Sequence, residues 1–404
     1  MPKKLWNKNY VLLLQGNAIS TIGDLMYSVA IGYWVYQQTG STSLMGIMSA
    51  ISMFVTMFLS PFTGSIIDKC NRKWVMVGMD LLQSAIMLTV GIFAYLNKLN
   101  IPMVLVAAFL AALGSVFYSP AVSTLLLDII PRDDMVRGQS TFSGMNALIN
   151  MAGSAFSGVL VAFFGVPLIV IINGLSNLYS AITELFIRVP KTVQQGQPIS
   201  LKRTLQDSKT ALQVIFSEPC LRLFVPGALL LNLLNAGITS LALPFCMEKG
   251  FTVDMYGYLM SAWTAAYVLC TLLMGTIKFK PITRFWLLAI GFSASEVFLS
   301  AGYLSGPFAV VFCFIFLGAF LNAAGNTVFN ASLMLALPEE NRGAILGFIQ
   351  AASVGGSALS AVLYGFLCDL FPMYLVFTTG SLISLIPMLY LCFHPRTKEF
   401  VVSH

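Results

Sequence analysis

The amino-acid sequence predicts an all-α membrane protein whose twelve transmembrane helices form two six-helix repeats. Three observations predict it: a run of long apolar stretches, a one-sided distribution of basic residues, and an internal repeat. Hydrophobic residues make up 57% of the 404 and charged residues only 9%. A soluble domain carries about 25% charged residues, so most of this surface faces something other than water. Hydropathy separates spans at roughly 10–36, 43–67, 74–96, 102–127, 139–164, 166–189, 221–246, 255–277, 284–304, 308–336, 343–368 and 372–393. Each is long enough for the ~20 residues that a bilayer core requires. With the N-terminus in the cytoplasm, all of the 22 Lys and Arg residues except Lys98 and Lys249 fall on the cytoplasmic side. This is a strong positive-inside signal, so both termini are expected in the cytoplasm of a multi-pass plasma-membrane protein. The net charge of +6 is then accounted for without a nucleic-acid partner. The first apolar stretch is too long for a signal-peptide core and lacks a cleavage site, so it reads as span 1.

The elements follow in order. Span 1 carries Asn17, Ser20, Thr21, Asp24 and Ser28 at spacings of three, four and seven, which is one polar face of a helix. Asp24 lies near its middle, where a charged side chain costs at least ~2.5–3.5 kcal/mol, so this face is expected to turn inward. Span 2 ends in Gly64-Ser-Ile-Ile-Asp68-Lys-Cys-Asn-Arg72-Lys73. Gly64 permits close helix approach, and Asp68 follows one turn later. Asp80 of span 3 is expected to pair with the Arg72 region. Asn146 and Asn150 lie on span 5. Glu184 and Arg188 of span 6 have the i, i+4 spacing of a local ion pair.

The stretch 190–220 is the one long polar interruption and splits the spans six and six. Residues 1–189 are the expected N-terminal six-helix bundle, 190–220 a cytoplasmic linker, and 221–404 the C-terminal six-helix bundle. In the linker, Leu201, Leu205, Leu212 and Phe216 among basic residues fit a short amphipathic surface helix and a solvated segment equally well. Beyond it, span 7 holds Asn232, Asn235 and Thr239, span 9 holds Glu296, span 10 holds Asn322, Asn326 and Asn330, and span 11 holds Gln350, Ser353 and Ser357. For any single asparagine, hydrogen-bond glue between helices explains its presence as well as a cavity does. Glu296 reads equally as a functional acid and as a structural partner.

The halves repeat in sequence. GSAFSGVL (Gly153–Leu160) aligns without gaps on GSALSAVL (Gly356–Leu363), and Gly46 and Gly64 correspond to Gly257 and Gly275 at one common offset. Close-packing glycines at matched places imply one backbone built twice.

The span 2–3 loop, with Gly64, Asp68, Arg72 and Lys73, resembles the G-x-x-x-D-[RK]-x-G-R-[RK] loop of the major facilitator superfamily, with Asn71 in place of the second glycine. Gly23-Asp24, Gln38-Thr39-Gly40-Ser41, Phe117-Tyr118-Ser119-Pro120-Ala121 and Gly165-Val166-Pro167 are similar to its macrolide-efflux and enterobactin-exporter branch. The resemblance implies the major facilitator fold, alternating access, and a central cavity lined by spans 1, 4, 7 and 10, with span 9 peripheral. Asn17, Thr21, Asn232, Asn235, Asn322 and Asn326 become cavity candidates, and Asp24 and Glu296 become proton-coupling or substrate-binding candidates. Asp68 would act as a gate latch against the start of span 11; as a solvated loop the segment would only fix topology through its basic residues. Span 5 departs from the superfamily's antiporter motif: Ser154 stands where this branch often has proline.

Other function classes lack their chemistry. No Gly-Lys dipeptide occurs, which removes the P-loop of an ATP-driven pump. The only histidines, His394 and His404, lie in the tail, and the seven cysteines form no C-x-x-C pair. No metal, cofactor or enzymatic centre is expected. The expectation is a proton-coupled secondary exporter of hydrophobic or amphiphilic small molecules. It would work as a monomer with a small-molecule substrate, protons and the lipid bilayer as partners. A lipid or lysophospholipid flippase, or a transporter of another metabolite, is the alternative within the same fold, ahead of a non-transporting membrane sensor.

Overall fold

The computed structural model describes residues 5–67, 70–188, 212–213, 215–277, 279–336 and 342–397. Its elements are α1 (Lys8–Thr39), α2 (Thr42–Ile67), α3 (Arg72–Tyr95), α4 (Ile101–Ile129), α5 (Met135–Leu185), α6 (Pro219–Ser240), α7 (Ala242–Glu248), α8 (Val253–Thr276), α9 (Pro281–Leu304), α10 (Phe308–Ala336), α11 (Arg342–Leu370) and α12 (Met373–Phe393), with a short 3-10 turn at Arg132–Asp134.

Among the described residues, nine helices are long and apolar enough to cross a membrane, or ten if the bent pair α6–α7 is one span. The first expected span, α1, falls short of this because of its polar stripe, and one member of that stripe is satisfied between helices: Asn17 Nδ2 of α1 donates to Asn146 Oδ1 of α5 at 2.8 Å. The bend of 52° between α6 and α7 follows from Pro244, which has no N–H to offer the carbonyl of Ser240 one turn back. Large apolar side chains such as Phe163 (81% exposed) and Ile386 (70%) point outward, as the lipid-facing surface of a membrane protein requires.

The chain falls into two compact units. The first comprises Met1–Gly40 and Ile51–Ser200; the second comprises Ser41–Ala50 and Leu201–His404, so the start of α2 belongs to the second. The core of the first unit gathers Tyr10, Leu13, Ile67, Met76, Leu125 and Ile129, and the Tyr10 hydroxyl donates to Gly138 O at 2.8 Å. The core of the second gathers Ile215, Phe285, Leu288, Val328, Ile345 and Met388. Of the linker residues assigned to an amphipathic pattern, Leu201 and Leu205 lie outside the described residues, whereas Leu212 and Phe216 are helical and exposed.

Helix α5 is two spans, not one. Gly165 interrupts it with φ 75° and ψ 162°, a region open essentially to glycine alone. The neighbours along α1 show that the chain reverses there. Residues 17 and 25 of α1 meet residues 146 and 153 of α5, which rise together. Residues 16 and 23 meet 180–183 and 173–176, which descend. Gly165→Ala is therefore expected to cost about 1–3 kcal/mol. Thermal unfolding of the purified protein in detergent should show a lowered midpoint; an unchanged one would assign the reversal to other residues.

Candidate functional site

In the first unit, α1 packs so closely on the second half of α5 that a Cβ at Gly23 would stand 2.3 Å from Ser176 Oγ. Asp24 is the next residue. This packing sets its carboxyl beside Asn173 and Asn177, while the side chain remains exposed. Asn17 and Thr21 of the stripe are spent locally. Asn17 bonds Asn146, and the Thr21 hydroxyl donates to Asn17 O at 2.7 Å. Of the polar face on α1, then, Asp24 is the charged group, and it is exposed.

Two expected ion pairs are corrected. Asp80 does not pair with Arg72, because the Arg72 guanidinium pairs with Asp128 near the end of α4. Glu184 does not turn to Arg188, which is exposed; it turns inward and accepts from the Tyr118 hydroxyl at 3.0 Å. Helical spacing alone could not reveal this, since i, i+4 neighbours meet only when neither side chain has a better partner on another helix. Asp128 was missed by sequence reasoning. Its one signal is that of a lone acid in the otherwise apolar Leu-Leu-Leu-Asp-Ile-Ile run. Lys73 Nζ donates to Leu185 O at 2.6 Å. Gly64 lies within α2, and Asp68 lies outside the described residues.

In the second unit, Glu296 of α9 is 4% exposed. Its Oε1 accepts from Asn235 Nδ2 of α6 at 3.4 Å, and Ser381 and Ser384 of α12 lie beside it. The acid thus faces the interior of its own unit, toward α6 and α12. Asn232 Nδ2 donates to Ala228 O within its own helix. Asn322 and Asn326 form a small network with a residue that the sequence did not single out, Tyr267 of α8. The tyrosine hydroxyl donates to Asn322 Oδ1, and Asn326 Nδ2 donates to that same oxygen at 2.7 Å. The two asparagines therefore join α10 to α8.

The second unit also contains an unforeseen cap. Asp369 near the end of α11 accepts from Thr42 N at 2.6 Å and Ser43 N at 3.2 Å, and from the hydroxyls of Ser41 and Thr42 at 3.0 and 2.6 Å. It thus serves the start of α2 as an N-cap borrowed from another helix. Lys249, after α7, donates to Ser305 O at 2.6 Å; partial burial pulls its ammonium below the usual lysine range, against the opposing pull of Glu248. Among the described residues, no group of three or more His, Cys, Asp or Glu side chains is arranged to hold a metal ion.

Comparisons with known proteins agree with this architecture. The family model described as Major Facilitator Superfamily matches residues 13–234 and 227–401. Macrolide efflux protein A of Streptococcus pyogenes is 22% identical over 210 residues, 52% of each chain; the match thus spans about half the length of that relative. The MFS-type transporter YfiS of Bacillus subtilis (strain 168) is 23% identical over 396 residues, covering 95% of this chain and 92% of that one. Among solved structures, a bacterial homolog of the human lysosomal transporter Spinster, inward-facing and unoccupied, superposes with a TM-score of 0.73 at 14% identity over 100% of this chain and 97% of that one. The nucleoside transporter NupG gives a TM-score of 0.74 at 12% identity, over 96% and 98%.

Proposed function

We propose that this chain, which belongs to the Major Facilitator Superfamily, exports hydrophobic or amphiphilic small molecules across the cell membrane in exchange for protons. The observation that carries the reading is Asp24: an exposed carboxyl halfway along α1, between Asn173 and Asn177. A charge at that depth is costly unless something neutralises it, so the site favours a proton or a cationic substrate. The similarity to macrolide efflux protein A supports the outward direction and the substrate class. In this reading Glu296 is the second coupling candidate, and Asn17, Thr21, Asn232, Asn235, Asn322 and Asn326 supply polar surface in and around the cavity. Gly64, Asp68, Arg72 and Lys73 form the gating loop. The segments 1–189 and 221–404 work as two bundles joined by 190–220, in a monomer that alternates its access.

Cells with and without the gene should differ in drug susceptibility and dye accumulation. Sensitisation on deletion, with nutrient uptake unchanged, is the expected result. Equal susceptibility with an altered distribution of lysophospholipid between the leaflets would instead select the flippase. The orientation has its own test. In a cysteine-free background, Lys98→Cys should react with a membrane-impermeant maleimide in intact cells, and Leu205→Cys should not. The reverse pattern would invert the topology.

A further inference from the structure

A second acidic site lies inside the first unit, away from the exposed face of α1. Asp80 of α3 and Glu184 of α5 are 2% and 1% exposed. Tyr118 of α4 reaches the second of them, its hydroxyl donating to Glu184 Oε1 at 3.0 Å. Asp80 Oδ2 and Glu184 Oε2 are buried with no hydrogen-bond donor in bonding geometry, and Ser180, wholly buried, is the polar side chain beside Asp80. The charged and titratable groups facing the pair are Asp24 from α1, Tyr118 from α4, and each acid from the other's helix. At the start of α3, Arg72 pairs with Asp128 and Lys73 binds Leu185 O. The charges that bear on the two acids are therefore of one sign.

Two carboxylates that feel each other in a dry interior are not both kept charged without a counter-ion. Among the described residues no group of three or more His, Cys, Asp or Glu is arranged to hold a metal ion, and a proton neutralises one acid without any set of ligands. The second unit also buries an acid on its third span: Glu296, with one oxygen unpartnered, faces Asn235 of its first span and the serines of its last.

We propose that Asp80, Glu184 and the Tyr118 hydroxyl form a proton-binding site within the first unit, distinct from Asp24. The proton joins Asp80 Oδ2 or Glu184 Oε2, and Tyr118 holds Glu184 Oε1 in place. The use of this site in coupling rests on the exporter reading; the binding of the proton does not.

Infrared spectroscopy of the purified protein in nanodiscs, across a pH series in H2O and D2O, tests the site without any substrate. The wild type should show a neutral-carboxyl C=O band at pH 7 that shifts in D2O. Asp80→Asn and Glu184→Gln should each reduce that band. Tyr118→Phe keeps both acids, so it should move the band's frequency and leave its intensity; this variant and the wild type carry the test if the acid substitutions fail to fold. No such band in the wild type, or the same band in both acid variants, overturns the proposal. Bleaching by sodium chloride but not choline chloride at constant pH would reassign the site to a metal cation and overturn it too. Failure of the export assay would leave all of these outcomes readable.

Discussion

Asp24→Asn is expected to abolish transport against a gradient while leaving the protein folded. Asparagine has the size of aspartate and can still hydrogen-bond Asn173 and Asn177, the neighbours of the native carboxyl. What it cannot do is ionise. A carboxylate at mid-membrane depth costs at least ~2.5–3.5 kcal/mol when unpaired, which is the drive for a proton or a substrate cation to bind there. If both compete for one carboxyl, exchange follows from that competition alone, and removing the charge removes the exchange. The measurement is ethidium movement in proteoliposomes under an imposed pH gradient, for wild type, Asp24→Asn and Glu296→Gln. Downhill equilibration of neutral solutes should survive in Asp24→Asn. If Asp24→Asn still concentrates ethidium and Glu296→Gln does not, the coupling role passes to the buried acid on α9.

The second large effect is expected at Asp369. Its carboxylate accepts from two backbone N–H groups and two hydroxyls at the start of α2. At the same place, a Cβ on Gly46 would fall 2.3 Å from Ala361 O, so the contact is both charged and tightly packed. Loss of an N-cap costs about 0.5–2 kcal/mol, and hydrogen bonds to a charged acceptor are stronger than neutral ones. Asp369→Ala should therefore shift the attachment of Ser41–Ala50 to α11 by about 2 kcal/mol, roughly a 30-fold change in population. Met45, 4% exposed within that segment, gives a readout. In a cysteine-free background, Met45→Cys should react with a maleimide roughly 30-fold faster when Asp369 is alanine, in proportion to the opened population. Asp369→Asn should fall between the two. Equal labelling in all three would show that packing at Gly46 and Gly365 holds the segment without the carboxylate.

The architecture was largely legible because the bilayer imposes its length on every span and sorts basic residues by side. Polar partners were less so. Asp24 and Glu296 stood out as acids in apolar stretches, yet nothing in the linear pattern joined Glu296 to Asn235, or Glu184 to Tyr118. Those meetings depend on how helices rotate against one another. Rotation is set by close contacts such as Gly16 against Thr183 and Gly23 against Ser176, which the periodicity of one helix does not contain. The two ion pairs expected from proximity in sequence failed for this reason: Arg72 and Glu184 each had a better partner on another helix. Asp369 was overlooked because it sits at a span's end, where an acid passes for ordinary surface.

Gly165 has a consequence for how the protein can be handled. Neighbouring spans are elsewhere parted by a stretch of backbone, such as residues 96–100 between α3 and α4. Between the fifth and sixth spans the chain turns back within a single residue. That turn offers a protease no strand to grip, an antibody no epitope, and an engineer no seam into which a tag can be spliced. The fifth and sixth spans are thus one continuous hairpin, with Gly165 at its bend.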